Sequence, residues 1–431
     1  MLFKNITILD EDFNVRENMY VGTFGSRIRL ISDKEPEYAE KYGEVYDGKD
    51  RLLMPGFYNA HGHSPMALMR GYGENLTLQD WLETRIFPFE AKLDSNAVYW
   101  GTLLCMMESL RFGIVSTQDM YYFTSDMVRA VADSGAKNNI SRSLTNFDGT
   151  PFEQMGSVRE MKDAVRNYHG AEEGRILIDA SLHAEYTSDE QTARGLAAYA
   201  KEEGIRMHVH VSETKREHEE CKGRRGGRTP VRYLADCGIF DVPATAAHCV
   251  WIEGEDYDIL KEKGVTVATN PVSNLKLASG ICDSAALLRA GIGLAVGTDS
   301  VASNNSLNFL EEIKTLALVG KIKAGDPTVI TPRQALYAAT RGGALAQGRT
   351  DCGLLAEGQK ADLIVMDISQ PNMHPVHDMV NNIVYSAAGS DVVLTMADGK
   401  VLYKDGEYAT IDKEKTVFET EKAAKGILAQ L

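Results

Sequence analysis

Between Pro55 and Ser300, short apolar runs alternate with longer amphipathic stretches, and this alternation constrains the fold more than any other feature of the chain. The runs are PGFYNAHGH, GIVSTQDM, NNISRSLTN, RILIDASLHA, RMHVHVS, ATAAHCV, VTVATNP and IGLAVGTDS. Between them lie 94–112, 125–135, 157–168, 189–203, 228–237 and 255–263, with apolar residues at i, i+3 and i+4, the helical spacing. Strand followed by helix, repeated about eight times over roughly 290 residues, suits one (β/α)8 barrel, whose usual size is ~250 residues. A doubly wound open sheet is the alternative, but no GxGxxG or GxxxxGK[ST] supports it.

Both ends have another texture. Residues 1 to 55 carry strand-like runs (LFKNITIL, RIRLIS, EVYDGKDRLLMPG) broken by Gly, Asp and Asn. After TPRQALYAATRGGALAQG at 331–348, a helix with Thr331 as N-cap and Pro332 at its first position, strand texture returns in GQKADLIVMD and VVLTMADGKVLYKDGEY. The fold class expected is therefore α/β: a TIM-like barrel over 56–350, with a small β-sandwich built from 1–55 and 351–431, the latter ending in a charged helix.

Composition excludes several functions. A formal net charge of −15 offers no basic face to nucleic acid or an anionic membrane. No stretch approaches the ~20 apolar residues of a membrane span, and MLFKNITILDEDF lacks the apolar core of a signal peptide. The six cysteines form no CxxC and no ladder. A reduced, cytoplasmic protein acting on a small molecule is expected, with neither nucleic acid nor membrane as partner.

The ends of the apolar runs carry the chemistry. Catalytic groups of such a barrel lie at the C-terminal ends of its strands. His61 and His63 end the first run, His208 and His210 sit in MHVHVSE with Glu213 just beyond, His248 ends TAAHC, and Asp299 ends LAVGTDS. Taken singly, each has an ordinary reading: a loop pair, a strand-interior histidine one pleat below His210, a core histidine, a turn aspartate. Four strand ends in succession that each deliver an imidazole or carboxylate favour a divalent ion such as zinc. His183, ending IDASLHA, belongs with this set.

PGFYNAHGHSPM, HVSE, AHC, NPVSNLKLASGI and GTDSVASNNSLN together resemble the amidohydrolase superfamily, in its metal-dependent aminohydrolase branch. The resemblance is greatest to the 5'-methylthioadenosine/S-adenosylhomocysteine deaminases and covers nearly the whole chain. It implies metal ligands at His61, His63, His210 and Asp299, a proton shuttle at Glu213 and a water-orienting His248. The fourth-strand region, ILIDASLHAEYTS, has no lysine to be carboxylated, so one divalent ion per chain is expected, Zn2+ before Fe2+.

For the substrate, the resemblance implies a purine contact at His183, ribose hydroxyls on Glu90, purine packing on Trp81, and a carboxylate held by Arg142 and, through a more variable loop, Arg159. Thr269 and Ser300 depart from the family pattern at the pocket rim. The implied activity is hydrolytic deamination of adenine nucleosides such as S-adenosylhomocysteine, 5'-methylthioadenosine or adenosine, giving the inosyl product and ammonia. A homo-oligomer is expected. Two alternatives stay open: an aminohydrolase or chlorohydrolase of a free base or triazine, resembling guanine deaminase, and a non-catalytic scaffold. Glu213 and His248 argue against the scaffold, which has no use for a proton shuttle beside a metal.

Overall fold

The computed structural model describes residues 1–431. Five strands open the chain: β1 (Leu2–Leu9), β2 (Val15–Phe24), β3 (Arg27–Ser32), β4 (Val45–Asp47) and β5 (Arg51–Pro55). Eight follow in the barrel: β6 (Phe57–Gly62), β7 (Ile114–Tyr121), β8 (Lys137–Leu144), β9 (Ile176–Leu182), β10 (Met207–Val211), β11 (Ala244–His248), β12 (Thr266–Thr269) and β13 (Gly293–Val296). Four end the chain: β14 (Leu363–Asp367), β15 (Val392–Ala397), β16 (Lys400–Lys404) and β17 (Glu407–Tyr408).

β6 to β13 are hydrogen-bonded in sequence order, each parallel to the next. The barrel closes through a single bridge between Gly62 and Asp299, where the Asp299 amide donates to the His61 carbonyl at 3.0 Å. Closure thus falls on the chain segments that carry the expected ligands. β6 and β7 are buried along their full lengths, as expected for parallel strands covered on both faces. Side chains cap the outer helices: Asp94 accepts from the Ala97 amide at 2.8 Å and Asp189 from Thr192 at 2.8 Å. Thr331 is the N-cap and Pro332 the first helical residue, as the sequence predicts, and Gln334 completes a reciprocal capping box. Below the site the barrel interior is polar and bonded: Asp179 accepts from Gln118 (2.9 Å) and Asn139 (3.0 Å), while Gln347 donates to the Asn59 carbonyl at 3.0 Å.

The nine remaining strands form one mixed sheet in which β5 pairs with both β1 and β14, so the two chain ends share it. Its edge strand β3 turns back to the segment before β14, where the Ile28 amide donates to the Gln359 carbonyl at 3.0 Å. This curl encloses a core of 13 residues, including Phe3, Val21, Leu53, Leu363 and Leu394, separate from the 98-residue core that the barrel shares with sheet residues such as Leu52, Ile364 and Leu402. β2 is a strand that the sequence reading does not mark. Its first four residues are exposed and break the alternation of a half-buried strand.

Candidate active site

Three histidines each have one ring nitrogen held from behind. His63 Nδ1 lies 2.7 Å from the Met120 carbonyl, and His210 Nδ1 lies 2.7 Å from the His183 carbonyl. A carbonyl only accepts, so both Nδ1 atoms carry the proton and both Nε2 atoms present lone pairs. Those two Nε2 atoms are 3.3 Å apart. Behind His61, His208 lies with its Nε2 2.9 Å from His61 Nδ1, and the buried His61 Nε2 has no hydrogen-bond partner. Asp299 completes the group, its Oδ1 lying 3.2 Å from His63 Nε2 and 3.6 Å from His61 Nε2.

Converging lone pairs, an unpartnered buried nitrogen and a carboxylate, each fixed from behind, fit a divalent cation such as zinc. The ligand-type atoms of His61, His63 and Asp299, and those of His61, His210 and His248, lie within 4.8 Å of one another. Burial lowers the His61 pKa to about 3 and pushes His210 well below the usual imidazole range, so both rings stay neutral. Burial alone would raise Asp299, but the His61 and His63 imidazoles beside it hold its carboxyl well below the usual carboxylate range. Its Oδ2 accepts from Ser273 Oγ (2.6 Å) and Ser303 Oγ (3.1 Å), leaving Oδ1 turned to the imidazoles.

Glu213 and His248 face this group. His248 Nε2 is 3.8 Å from Glu213 Oε2, and His248 Nδ1 lies 2.8 Å from Asn274 Oδ1. His248 and Asp299 both take left-handed backbone conformations, with φ of 72° and 59°. Glu213 is fixed through its main chain, because the buried Glu217 carboxylate accepts from the amides of Ser212 (3.0 Å) and Glu213 (2.7 Å). Burial raises the Glu213 carboxyl pKa, against the pull of His248.

A cleft opens above the cluster, its empty space of about 630 Å³ merging with open solvent. Trp81, Glu90 and His183 line it together with Leu78, Leu82, Ile86, Phe87, Tyr121, Tyr122 and Tyr186. Burial drives the Glu90 carboxyl up to about 7 and the His183 imidazole down to about 4. The two arginines stand elsewhere. Arg142, expected in the pocket, does not line it: Nε donates to Glu160 Oε2 at 2.6 Å and the guanidinium lies 4.7 Å from the Tyr122 ring centre. Arg159 projects from the helix Gly156–Tyr168 into solvent, and its one hydrogen bond is to the Gln154 carbonyl at 3.4 Å. That helix turns its apolar face, with Val158 and Met161, onto the barrel, which points Arg159 outward.

Residues to which the sequence reading gives no ligand or catalytic role also shape the site. His208 supports His61, Asn274 holds His248, Ser273 holds Asp299, and Glu217 holds the Glu213 backbone. For His208 the signal is present in HVH, since residues two apart on a strand share a face. Ser273 and Asn274 sit in NPVSNLK, where only tertiary packing reveals their aim.

An amidohydrolase family model matches residues 52–402. The chain is 40% identical over 98% of its length, and 98% of the relative, to a 5-methylthioadenosine/S-adenosylhomocysteine deaminase of Dictyoglomus thermophilum. It is also 40% identical to a 5'-deoxyadenosine deaminase of Methanosarcina mazei, covering 94% of this chain and 92% of that one. An adenosine deaminase from Xanthomonas campestris, solved with bound zinc, superposes with a TM-score of 0.92 at 28% identity, covering 99% of this chain and 98% of its own. With the barrel, the histidine cluster and nearly full-length relatives in agreement, this chain belongs to the amidohydrolase family.

Proposed function

We propose that the protein is a metal-dependent hydrolytic deaminase of adenine nucleosides, releasing ammonia and the inosyl product. The observation that carries this reading is the juxtaposition of three converging imidazole Nε2 atoms and Asp299 with Glu213 and His248, beneath a cleft lined by Trp81, Glu90 and His183. Relatives named as deaminases of methylthioadenosine, S-adenosylhomocysteine and 5'-deoxyadenosine support the substrate class.

His61, His63, His210 and Asp299 would hold one divalent ion, for which the bound zinc of the Xanthomonas structure supports Zn2+. When bound, such an ion supplies Lewis acidity that makes water a nucleophile at neutral pH. Everything else falls to the chain. His248, its Nδ1 proton given to Asn274, keeps Nε2 free to accept a hydrogen bond from the attacking water and orient it. Asp299 takes the water's proton. Glu213, with its raised pKa, donates to the ring nitrogen beside the attacked carbon, and aromatic resistance to attack falls. The carboxylate so formed takes the proton of the added hydroxyl and passes it to the departing amine as the carbonyl forms, and the proton held by Asp299 restores Glu213, so water adds and ammonia leaves with atoms balanced. Glu90, deep in the cleft, accepts hydrogen bonds from ribose hydroxyls, Trp81 packs on the purine, and His183 contacts it.

Incubating the zinc-loaded protein with adenosine derivatives, guanine and aminotriazines while measuring ammonia tests the assignment. Turnover of adenine nucleosides above the free bases and triazines is the expected result, and the reverse order would move the function to a free-base hydrolase. Elemental analysis should find about one divalent ion per chain at full activity.

A further inference from the structure

The helix Phe309–Ala324 buries Phe309, Ile313 and Leu316 at the spacing of one apolar face, and Glu312 stands in that same stripe. Its neighbour Glu311 is exposed, whereas Glu312 is 1% exposed and no lysine or arginine pairs with it. A carboxylate so placed costs free energy unless donors meet it. Two do, from different loops. Oε2 accepts from the Val272 amide at 3.2 Å, after β12, and Oε1 accepts from the Asn304 side-chain amide, after β13. Each donor adjoins a group that holds Asp299. Val272 precedes Ser273, whose hydroxyl donates to Asp299 Oδ2 at 2.6 Å, and Asn304 follows Ser303, whose hydroxyl donates to the same oxygen at 3.1 Å. The Asn304 amide nitrogen also donates at 2.8 Å to the carbonyl of Thr298, the residue before Asp299. The two serine hydroxyls are 2.9 Å apart, so both loops meet at this one carboxylate.

Building on the reading of Asp299 as a ligand of the proposed metal ion, we infer that Glu312 is a positioning residue for Asp299. It clamps the loops after β12 and β13 together, so that Oδ2 stays on the two serines and Oδ1 stays turned to the imidazoles. Glu312 does not line the cleft, and so it acts on the reaction only through the groups it holds. A clamp is needed because Asp299 sits at φ 59°, a conformation that a residue other than glycine keeps only where its surroundings impose it. The clamp must be a carboxylate, since both of its oxygens accept and neither donates. An amide of the same size would turn an NH2 group against one of the two N–H donors and open one arm.

The test measures zinc affinity of the full chain by chelator competition, with Asp299 present and absent. Glu312→Gln should weaken zinc by at least ~3-fold, less than the ~10–100-fold of losing a direct partner of a ligand, because the serines keep part of their aim. In the Asp299→Ala background the same substitution should change zinc affinity by less than about 1.5-fold, since a residue that acts through Asp299 has nothing left to act on. With 5'-methylthioadenosine as substrate, Glu312→Gln should lower kcat by at least ~3-fold and leave KM within about 2-fold. Asn304→Ala cuts the β13 arm alone and should weaken zinc by at least ~2-fold, again only when Asp299 is present, which decides the matter even if Glu312→Gln does not fold. Equal zinc losses with and without Asp299, or zinc affinity unaltered by either substitution, overturn the inference alone, as does a rise in KM at constant kcat. Undiminished zinc affinity in Asp299→Ala itself overturns the ligand reading beneath it.

Discussion

Each histidine of the candidate metal site is a two-sided group whose hidden side decides what the visible side can do. His63 and His210 are fixed by main-chain carbonyls that no substitution removes, whereas His61 depends on the side chain of His208. His208→Phe fills similar space but leaves the buried His61 Nδ1 proton without an acceptor. Zinc affinity, measured by chelator competition, should fall ~10–100-fold, the usual cost of losing an outer partner of a ligand. Glu213→Gln separates proton transfer from metal holding: bound zinc should stay near one ion per chain while kcat falls at least ~10²-fold. The ligand types were legible in HGH, HVH, AHC and GTDS because strand alternation and strand-end placement follow from local sequence. Arg142 illustrates the limit. Its identity and strand position read correctly, but its ion pair is with Glu160, 18 residues away on the next helix, and no local spacing encodes that contact.

The elements that cover the cleft are tied across the barrel mouth. Leu78 to Glu90 supply its apolar wall, and the turn before them is anchored by Glu74, whose carboxylate accepts from Lys276 at 2.9 Å and from Asn305 at 3.1 Å. Lys276 follows β12 and Asn305 follows β13, so loops from two strands pin the cover from the opposite side. Arg70 adds a bond to the Asn305 carbonyl and an ion pair with Glu108. The Lys276–Glu74 pair is partly exposed, with 28% and 36% of its side chains accessible, so its contribution is in the range of about 0.2–1 kcal/mol. Lys276→Met should therefore quicken hydrogen exchange across residues 74–90 by roughly 1.4–5-fold while leaving the barrel strands unchanged. Uniform quickening over the whole chain would show that the pair supports global stability instead. The barrel strands were readable from periodicity, although the sequence reading marks no element over 74–90. The latch was not, because it joins surface charges that sequence leaves equally free to face water.

At the scale of the whole molecule, the barrel and the terminal sheet meet over a buried charge cluster at the end away from the cleft. Lys137, at the start of β8, is 2% exposed and pairs with Asp362, just before β14, and with Asp398 in the β15–β16 turn at 2.9 Å. The Tyr58 hydroxyl donates to the same Asp362 carboxylate, and the Asp398 amide donates to it at 2.7 Å. A shared sheet of both chain ends was legible in the strand textures, but this connection was not, since a lone lysine opening a strand reads as a solvated charge. Burial would raise Asp362, yet Lys137 beside it holds its pKa below the usual carboxylate value, so the pair's contribution is present above the unfolded aspartate pKa and lost as pH falls through the folded one. Lys137→Met leaves Asp362 buried without its cation, a change that typically costs about 3–5 kcal/mol. With an unfolding entropy of ~2.1 cal/mol/K per residue, that cost lowers Tm by about 3–6 °C for a chain of this length. Asp398 keeps Lys360 at 3.1 Å and should suffer less. Scanning calorimetry at pH 7 checks the drop, and repeating it in acid checks its origin. As pH falls, the orphaned aspartate of the variant protonates first, and below the lowered pKa of Asp362 in the unaltered chain both are neutral, so the gap between Lys137→Met and the unaltered chain should narrow. Adding Asp362→Leu should recover most of the lost Tm at pH 7, because two apolar groups replace an orphaned charge. A gap that persists in acid and in the double variant would mean that Lys137 acts through the packing of its hydrocarbon stem rather than through its charge.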